Sequence, residues 1–162
     1  MQTLEEFISQ LDVNILFRSR PVAVPPDLRP LWRVSILLLI LRKCCRNSRC
    51  SFYKAHILNW SVRTRETRSV LLQYLRGTVP PDEVLVRIEP ELNRAVDFAQ
   101  GFGYVRVVGG QHIELMPAGT EMAARIDQSS ALATEMRYLL EVGQNLTEEK
   151  AGHIFNLTKS RP

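Results

Sequence analysis

The sequence lacks the short motifs that mark most enzyme active sites. Its 162 residues contain no GxxxxGK(S/T) phosphate loop and no HExxH metal-binding signature. The paired acids are direct sequence neighbours, so their carboxylates point apart on a helix or a strand, and none of the three histidines has a Ser, Cys or Asp pattern nearby. We therefore predict a protein that is not an enzyme and that uses no cofactor.

Cysteines are also few. The three present, Cys44, Cys45 and Cys50, lie in one short segment, and an odd count without a secretory signal is typical of a reducing cytosol. These thiols together with His56 leave a metal site open as an alternative, but their spacing matches no zinc-finger pattern. We expect free structural thiols and no bound metal.

Long apolar runs are missing as well. The longest, residues 34–41, is far shorter than the roughly 20 residues that a membrane-spanning helix needs, and basic residues flank it. The first residues carry acids where a secretory signal carries bases. These two absences predict a cytoplasmic protein that has no membrane partner.

Positive charge, by contrast, is abundant in one region. Residues 18–76 contain thirteen Lys or Arg against two acids, a local net charge of +11, although the whole chain is only +4. Such a region favours polyanionic partners such as DNA. The alternatives are solubilising charge on surface helices and an acidic protein partner. The candidate DNA-binding residues are Arg42, Lys43, Arg46, Arg49, Arg63, Arg65 and Arg68.

The clearest structural signal is a helix–hairpin–helix pattern over residues 92–126. A helix-spaced segment ends at Gly101, and two short β-rich runs follow at 104–108 and 111–116. The two glycines between the runs, Gly109 and Gly110, supply the positive φ that a tight turn needs. This order is typical of the end of a winged-helix domain, in which the hairpin is the wing.

The rest of the chain predicts mainly helix. Apolar spacing and capping residues indicate the helices, and the β-branched alternation of residues 84–88 predicts a third strand beside the wing. The fold class is therefore mainly α with a small antiparallel sheet of a hairpin or three strands. The predicted helices span residues 4–17, 31–43, 52–62, 65–75, 91–100, 118–127 and 131–142, with a weaker one starting at Thr147.

These elements predict three parts. Residues 1–30 form an N-terminal helix and a Pro-rich connector, residues 31–127 form a winged-helix-like core, and residues 128–162 form a C-terminal helical extension.

The charge of the helix before the wing indicates which kind of partner the winged helix binds. In a DNA-reading winged helix this helix enters the major groove and is rich in Arg, Lys, Asn or Gln. Here it presents Glu89, Glu91 and Asp97 against Arg94, and phosphate would repel such a net acidic face. We therefore expect this face and the wing to bind protein. The candidate partner-binding residues are Glu91, Arg94, Asp97, Arg106, Gln111 and His112.

Four blocks of sequence together resemble a known family. They are RPLWRVSILLLIL at 29–41, AHILNWSVR at 55–63, VRIEPELNRAVDFA at 86–99, and the wing followed by LMPAG at 115–119. In combination they resemble the small middle components of bacterial ABC-three-component systems, the group that includes the Lamassu antiphage defences. The resemblance covers roughly residues 18–127 and includes no catalytic motif.

The resemblance implies a non-catalytic subunit in a complex that responds to phage or plasmid DNA. Such a subunit lies between an SMC/Rad50-like ABC ATPase and an effector protein, often a nuclease. It contacts double-stranded DNA as part of the complex. An alternative from a different class is a free-standing winged-helix transcriptional regulator. That alternative predicts sequence-specific protection of a palindromic operator by the isolated protein.

Overall fold

The computed structural model describes residues 29–159, and the predicted helix over 4–17 and residues 18–28 of the Pro-rich connector lie outside these residues. In the described part the chain is mainly helical with a small three-stranded antiparallel sheet, as the sequence predicts. The helices are α1 (Pro30–Cys44), α2 (Phe52–Ser61), α3 (Arg65–Leu75), α4 (Pro90–Gly101), α5 (Pro117–Gln128), α6 (Ala133–Val142) and α7 (Glu148–Lys159). The strands are β1 (Arg49–Ser51), β2 (Val105–Val108) and β3 (His112–Leu115).

Helix α1 is the centre of the hydrophobic core. Its residues from Ile36 to Leu41 are almost completely buried, because α4, α5 and α6 pack around it. An apolar surface that extends around a helix is what burial on several sides requires. Among residues 29–159 no helix is both long and apolar enough to cross a membrane.

The predicted caps define the starts of the helices. The Ser51 hydroxyl accepts the N–H of Lys54 at 3.2 Å, which begins α2. Thr64 and Thr67 exchange side-chain and backbone hydrogen bonds at the start of α3, so that two N–H groups left open by the first turn are satisfied. Prolines begin α4 and α5, where the missing N–H has no intrahelical partner to lose.

The sheet confirms the wing but corrects the third strand. The order is β1-β3-β2, with β3 in the centre, and Gly109 and Gly110 both have positive φ in the turn between β2 and β3. The third strand is β1, which precedes α2, whereas residues 84–88 form no ladder. The prediction of a strand there was wrong: Val84 and Val86 are buried as the alternation predicts, but β1 and β2 already occupy the two edges of β3, so residues 84–88 do not pair with it.

The C-terminal helices share the same core. Leu139 of α6 and Ile154 of α7 are fully buried in one hydrophobic cluster with α1. The ring of Phe155 packs against Tyr53 of α2 at 4.1 Å between centroids, and Glu148 accepts the N–H of Ser51 at 3.1 Å. The segment that the sequence predicts as an extension therefore packs directly on the winged-helix part.

Candidate interaction surfaces

The predicted basic face divides into two classes of residue. Four of its seven cations form ion pairs with acids from later elements. At the end of α1, Nζ of Lys43 donates to Oδ2 of Asp127 at 2.5 Å, and Nε of Arg42 lies 3.9 Å from the same oxygen. This contact fastens the last turn of α1 to the last turn of α5.

Arg68 is held by the fold in the same way. Its Nε and Nη2 donate to the carbonyl oxygen of Val62 at 2.9 and 2.7 Å, and Nη2 lies 3.6 Å from Oε1 of Glu135. Its guanidinium also lies 5.7 Å from the ring centre of Tyr138, within cation–π range. Arg68 therefore joins α3 to α6.

Arg63 belongs to a buried charge cluster that the sequence did not predict. Its guanidinium donates to Oε1 of Glu89, and Nη1 of Arg33 lies 3.5 Å from Oε2 of the same carboxylate. Arg33 and Glu89 are 5% and 8% exposed. A buried carboxylate of this kind stabilises the fold only while its partners are present. Glu89, predicted as part of an acidic outer face, thus points inward.

The three remaining cations, Arg46, Arg49 and Arg65, are exposed. Arg49 lies opposite Glu114 in the ladder between β1 and β3, and Glu114 also lies opposite Arg106 of β2. Arg106 contacts the Glu114 carboxylate through Nε at 2.9 Å and Nη2 at 2.8 Å.

The outer face of the sheet therefore joins the two predicted sets. Two arginines, one from each set, flank a single carboxylate, and Arg46 lies in the turn that leads into β1. We name Arg46, Arg49 and Arg106 the basic sheet patch. Excess positive charge on an exposed sheet face is suited to phosphate contacts without base readout.

Helix α4 presents a mixed, partly apolar face. Its inward stripe is buried as predicted, while Arg94 and Asp97 are exposed and Glu91 is half-buried. Phe98 follows Asp97 and is 51% exposed; one turn later Phe102 is 55% exposed and is stacked on Tyr104 at 5.5 Å between ring centroids.

Sequence reasoning missed these two aromatic residues. The available signal was the i, i+4 spacing of Phe98 and Phe102, with Phe98 outside the stripe that faces the core. A groove of about 290 Å³ opens beside Phe98, between α4 and the start of α1. It is lined by Pro30, Arg33, Glu91, Arg94, Ala95 and Phe98. Its apolar walls and charged rim could accept an apolar side chain of a partner protein.

The wing residues are placed separately from that groove. Gln111 is exposed, and its carbonyl accepts the N–H of Phe52 at 3.1 Å, which ties the wing to α2. His112 is half-buried and pairs in register with Ser51 and Val108. Gln111 and His112 therefore lie on the sheet, and Glu91, Arg94 and Asp97 lie on α4.

The cysteines are all buried. Sγ of Cys44 contacts the carbonyl oxygen of Leu139 at 3.3 Å, and burial raises the pKa of its thiol to about 12. A hydrogen bond with Cys45, followed by burial, raises the pKa of Cys50. Protonated thiols of this kind are poor nucleophiles and poor metal ligands. Within residues 29–159 no three His, Cys, Asp or Glu side chains are grouped so as to hold a metal ion.

No family model, curated protein or solved structure matches the chain. The family resemblance therefore stays a prediction from the four sequence blocks. What the chain binds has to be inferred from the surfaces described above.

Proposed function

We propose that the protein is a non-catalytic adaptor in a cytoplasmic, DNA-associated defence complex. In this proposal it is the middle component of an ABC-three-component system and links an SMC/Rad50-like ABC ATPase to an effector, which is often a nuclease. The resemblance of the four sequence blocks supports the proposed family, and the exposed surfaces of α4 and the sheet support the proposed contacts.

The observation that carries the proposal is the exposed face of α4. Phe98 and, at the end of the helix, Phe102 are each more than half exposed, and Asp97 precedes Phe98, so this helix suits an apolar protein surface better than a DNA groove. Aromatic side chains next to a groove are the usual anchors of protein interfaces. We assign the ATPase or the effector to this face.

The basic sheet patch supplies the second contact. Arg49 and Arg106 lie opposite one carboxylate, Glu114, and the exposed Arg46 adds a third positive charge in the turn before β1. Such a patch attracts DNA phosphates without selecting a sequence, as a subunit that follows DNA within a larger complex requires.

Co-purification tests the adaptor role. The tagged protein is expressed with its neighbouring genes, and a coiled-coil ABC ATPase is expected to be retained on the affinity resin. Phe98→Asp should lower the affinity for the ATPase or the effector about 30-fold, the loss expected for one hot-spot residue, and less of that partner should be retained. Leu140→Asp is the matched control, because Leu140 is equally exposed but lies on α6.

Two results would overturn the proposal. One is that no ABC ATPase is encoded beside the gene or none associates with the protein. The other is that the isolated protein protects a palindromic operator sequence, which is the behaviour of a winged-helix transcriptional regulator. If the Phe98 and Leu140 variants retain equal amounts of partner, α4 is not part of the interface.

A further inference from the structure

An apolar groove opens beside the first turn of α1. It has a volume of about 610 Å³ and lies between α1 and the end of α5 with the segment that follows it. Leu31 and Trp32 line the α1 side, and Ile126 and Leu132 line the other. Leu31 is 73% exposed, more than any other large apolar side chain of residues 29–159. Exposed apolar surface beside a groove is typical of a docking site.

The same chain contains an apolar helix face that could fill this groove. The helix predicted over residues 4–17, outside the described part of the chain, is amphipathic. Its apolar residues repeat at helical spacing and share one side of the predicted helix: Leu4, Phe7, Ile8, Leu11 and Ile15. A helix of this length gains most of its stability by packing such a side on the rest of the protein.

The chain leads from this predicted helix directly to the groove. Arg29, the first described residue, is itself part of the groove lining, and residues 18–28 link it to the predicted helix. At about 3.3 Å per extended residue the link reaches up to about 36 Å, so the helix can fold back over the groove. A link this short gives the helix an effective concentration in the millimolar range, far above that of most free partners.

The charges of the two surfaces are complementary. Residues 1–17 contain three acids, Glu5, Glu6 and Asp12, and no Lys or Arg. The described lining of the groove has one charged side chain, the exposed Arg29, and no acid. Opposite charges at the edge of an apolar contact favour the correct partner and orientation.

We propose that residues 4–17 dock as a helix in the groove beside α1 of their own chain. The apolar side of the helix covers Leu31 and Trp32, and Leu11 lies near the middle of the contact. The N-terminal part of the chain is then an integral part of the fold. This docking does not depend on the adaptor role proposed above.

Urea unfolding of the full chain tests the docking. Leu31→Gln and Leu11→Gln should each raise the unfolding equilibrium constant about tenfold, because each loses the burial of one leucine side chain. The double variant should also raise it about tenfold instead of about a hundredfold, because both changes remove the same contact. The midpoint of the parent chain should not depend on protein concentration, since the contact lies within one chain.

Two matched variants control for the substitution itself. Leu140→Gln changes a leucine of α6 that is 60% exposed, and Ser9→Gln changes the opposite side of the predicted helix. Both should leave the unfolding equilibrium constant within about twofold.

Three results would overturn the proposal. In the first, Leu31→Gln has no more effect than Leu140→Gln, which would leave the groove uncovered. In the second, the effects of Leu31→Gln and Leu11→Gln multiply to about a hundredfold in the double variant, which would place Leu11 elsewhere. In the third, the midpoint of the parent chain rises with protein concentration, which would assign the groove to the helix of a second copy.

Discussion

Lys43 and Asp127, which are 84 residues apart, form an ion pair in which Nζ donates to Oδ2 at 2.5 Å. The two side chains are 19% and 24% exposed, so solvent screens them only in part. With the contact between Arg68 and Glu135, the pair shows that acids of the second half of the chain hold the basic helices in place. The cations that remain available for the proposed DNA contact are therefore fewer than the sequence predicts.

The basic sheet patch is the predicted site of DNA contact. The double variant Arg46→Gln/Arg49→Gln should weaken binding to random-sequence double-stranded DNA and lower the slope of log K against log salt by about two, because two phosphate contacts are lost. Both side chains are exposed, so the melting temperature should stay the same. Fluorescence anisotropy over a series of salt concentrations measures the slope.

Lys43→Gln is the matched comparison. This change should leave the salt slope intact but lower the free energy of unfolding by about 1 kcal/mol, since it breaks a partly buried ion pair. If Lys43→Gln and the double variant lower the slope equally, the distinction between structural and DNA-facing cations is incorrect.

Glu89 should be far more important for stability than any exposed acid. Glu89→Gln removes the negative charge that contacts both Arg33 and Arg63, in a site where Arg33 is buried. We expect the free energy of unfolding, measured with urea, to fall by about 3 kcal/mol. Glu121→Gln, on the exposed side of α5, should change it by less than about 0.5 kcal/mol. Equal effects would mean that the buried cluster does not stabilise the fold.

Local signals in the sequence were sufficient for most of the helices. The range predicted for α3 matches Arg65–Leu75, because Thr64 caps its start and a glycine follows its end. The wing was equally predictable, since Gly109 and Gly110 supply the positive φ of the turn. In each case the determining residues lie within a few positions of the element.

Contacts between distant residues were not predictable in this way. Strand β1 has only three residues and exists because it pairs with β3, more than 60 residues later. The same holds for the ion pairs of Lys43 and Arg63, whose acids lie in later elements. A charged residue has the same sequence signal whether it faces solvent or a buried carboxylate, so the basic face was predicted too large.

His56 should make stability depend on pH. Burial lowers the pKa of this histidine below its usual value of 6.5, so near pH 6 the unfolded chain binds more protons than the folded one. The free energy of unfolding should therefore be at its full value above about pH 7 and should fall as the pH drops toward about 5. In urea titrations His56→Gln should reduce this dependence of the unfolding free energy on pH. His153→Gln changes an exposed histidine and should leave the pH dependence unchanged. A parent chain with constant stability over that range would contradict the expectation.

Gly119 lies where α5 comes close to Tyr104, the residue before the first strand of the wing. A Cβ at this position would lie 2.0 Å from the carbonyl oxygen of Tyr104, and that oxygen also accepts the N–H of Met116 at 2.8 Å. The backbone of Tyr104 cannot move away without losing this hydrogen bond. Gly119→Ala should therefore lower the free energy of unfolding by roughly 3 kcal/mol.

The control for Gly119 is another helical glycine with free space. A Cβ at Gly152 in α7 meets no atom within 4 Å, so Gly152→Ala should raise the free energy of unfolding by roughly 0.5 to 1 kcal/mol through the higher helix propensity of alanine. The two variants make the same chemical change and should shift the urea midpoint in opposite directions. A Gly119→Ala protein as stable as the parent would show that α5 does not press on Tyr104, and the packing of the wing against α5 would have to be revised.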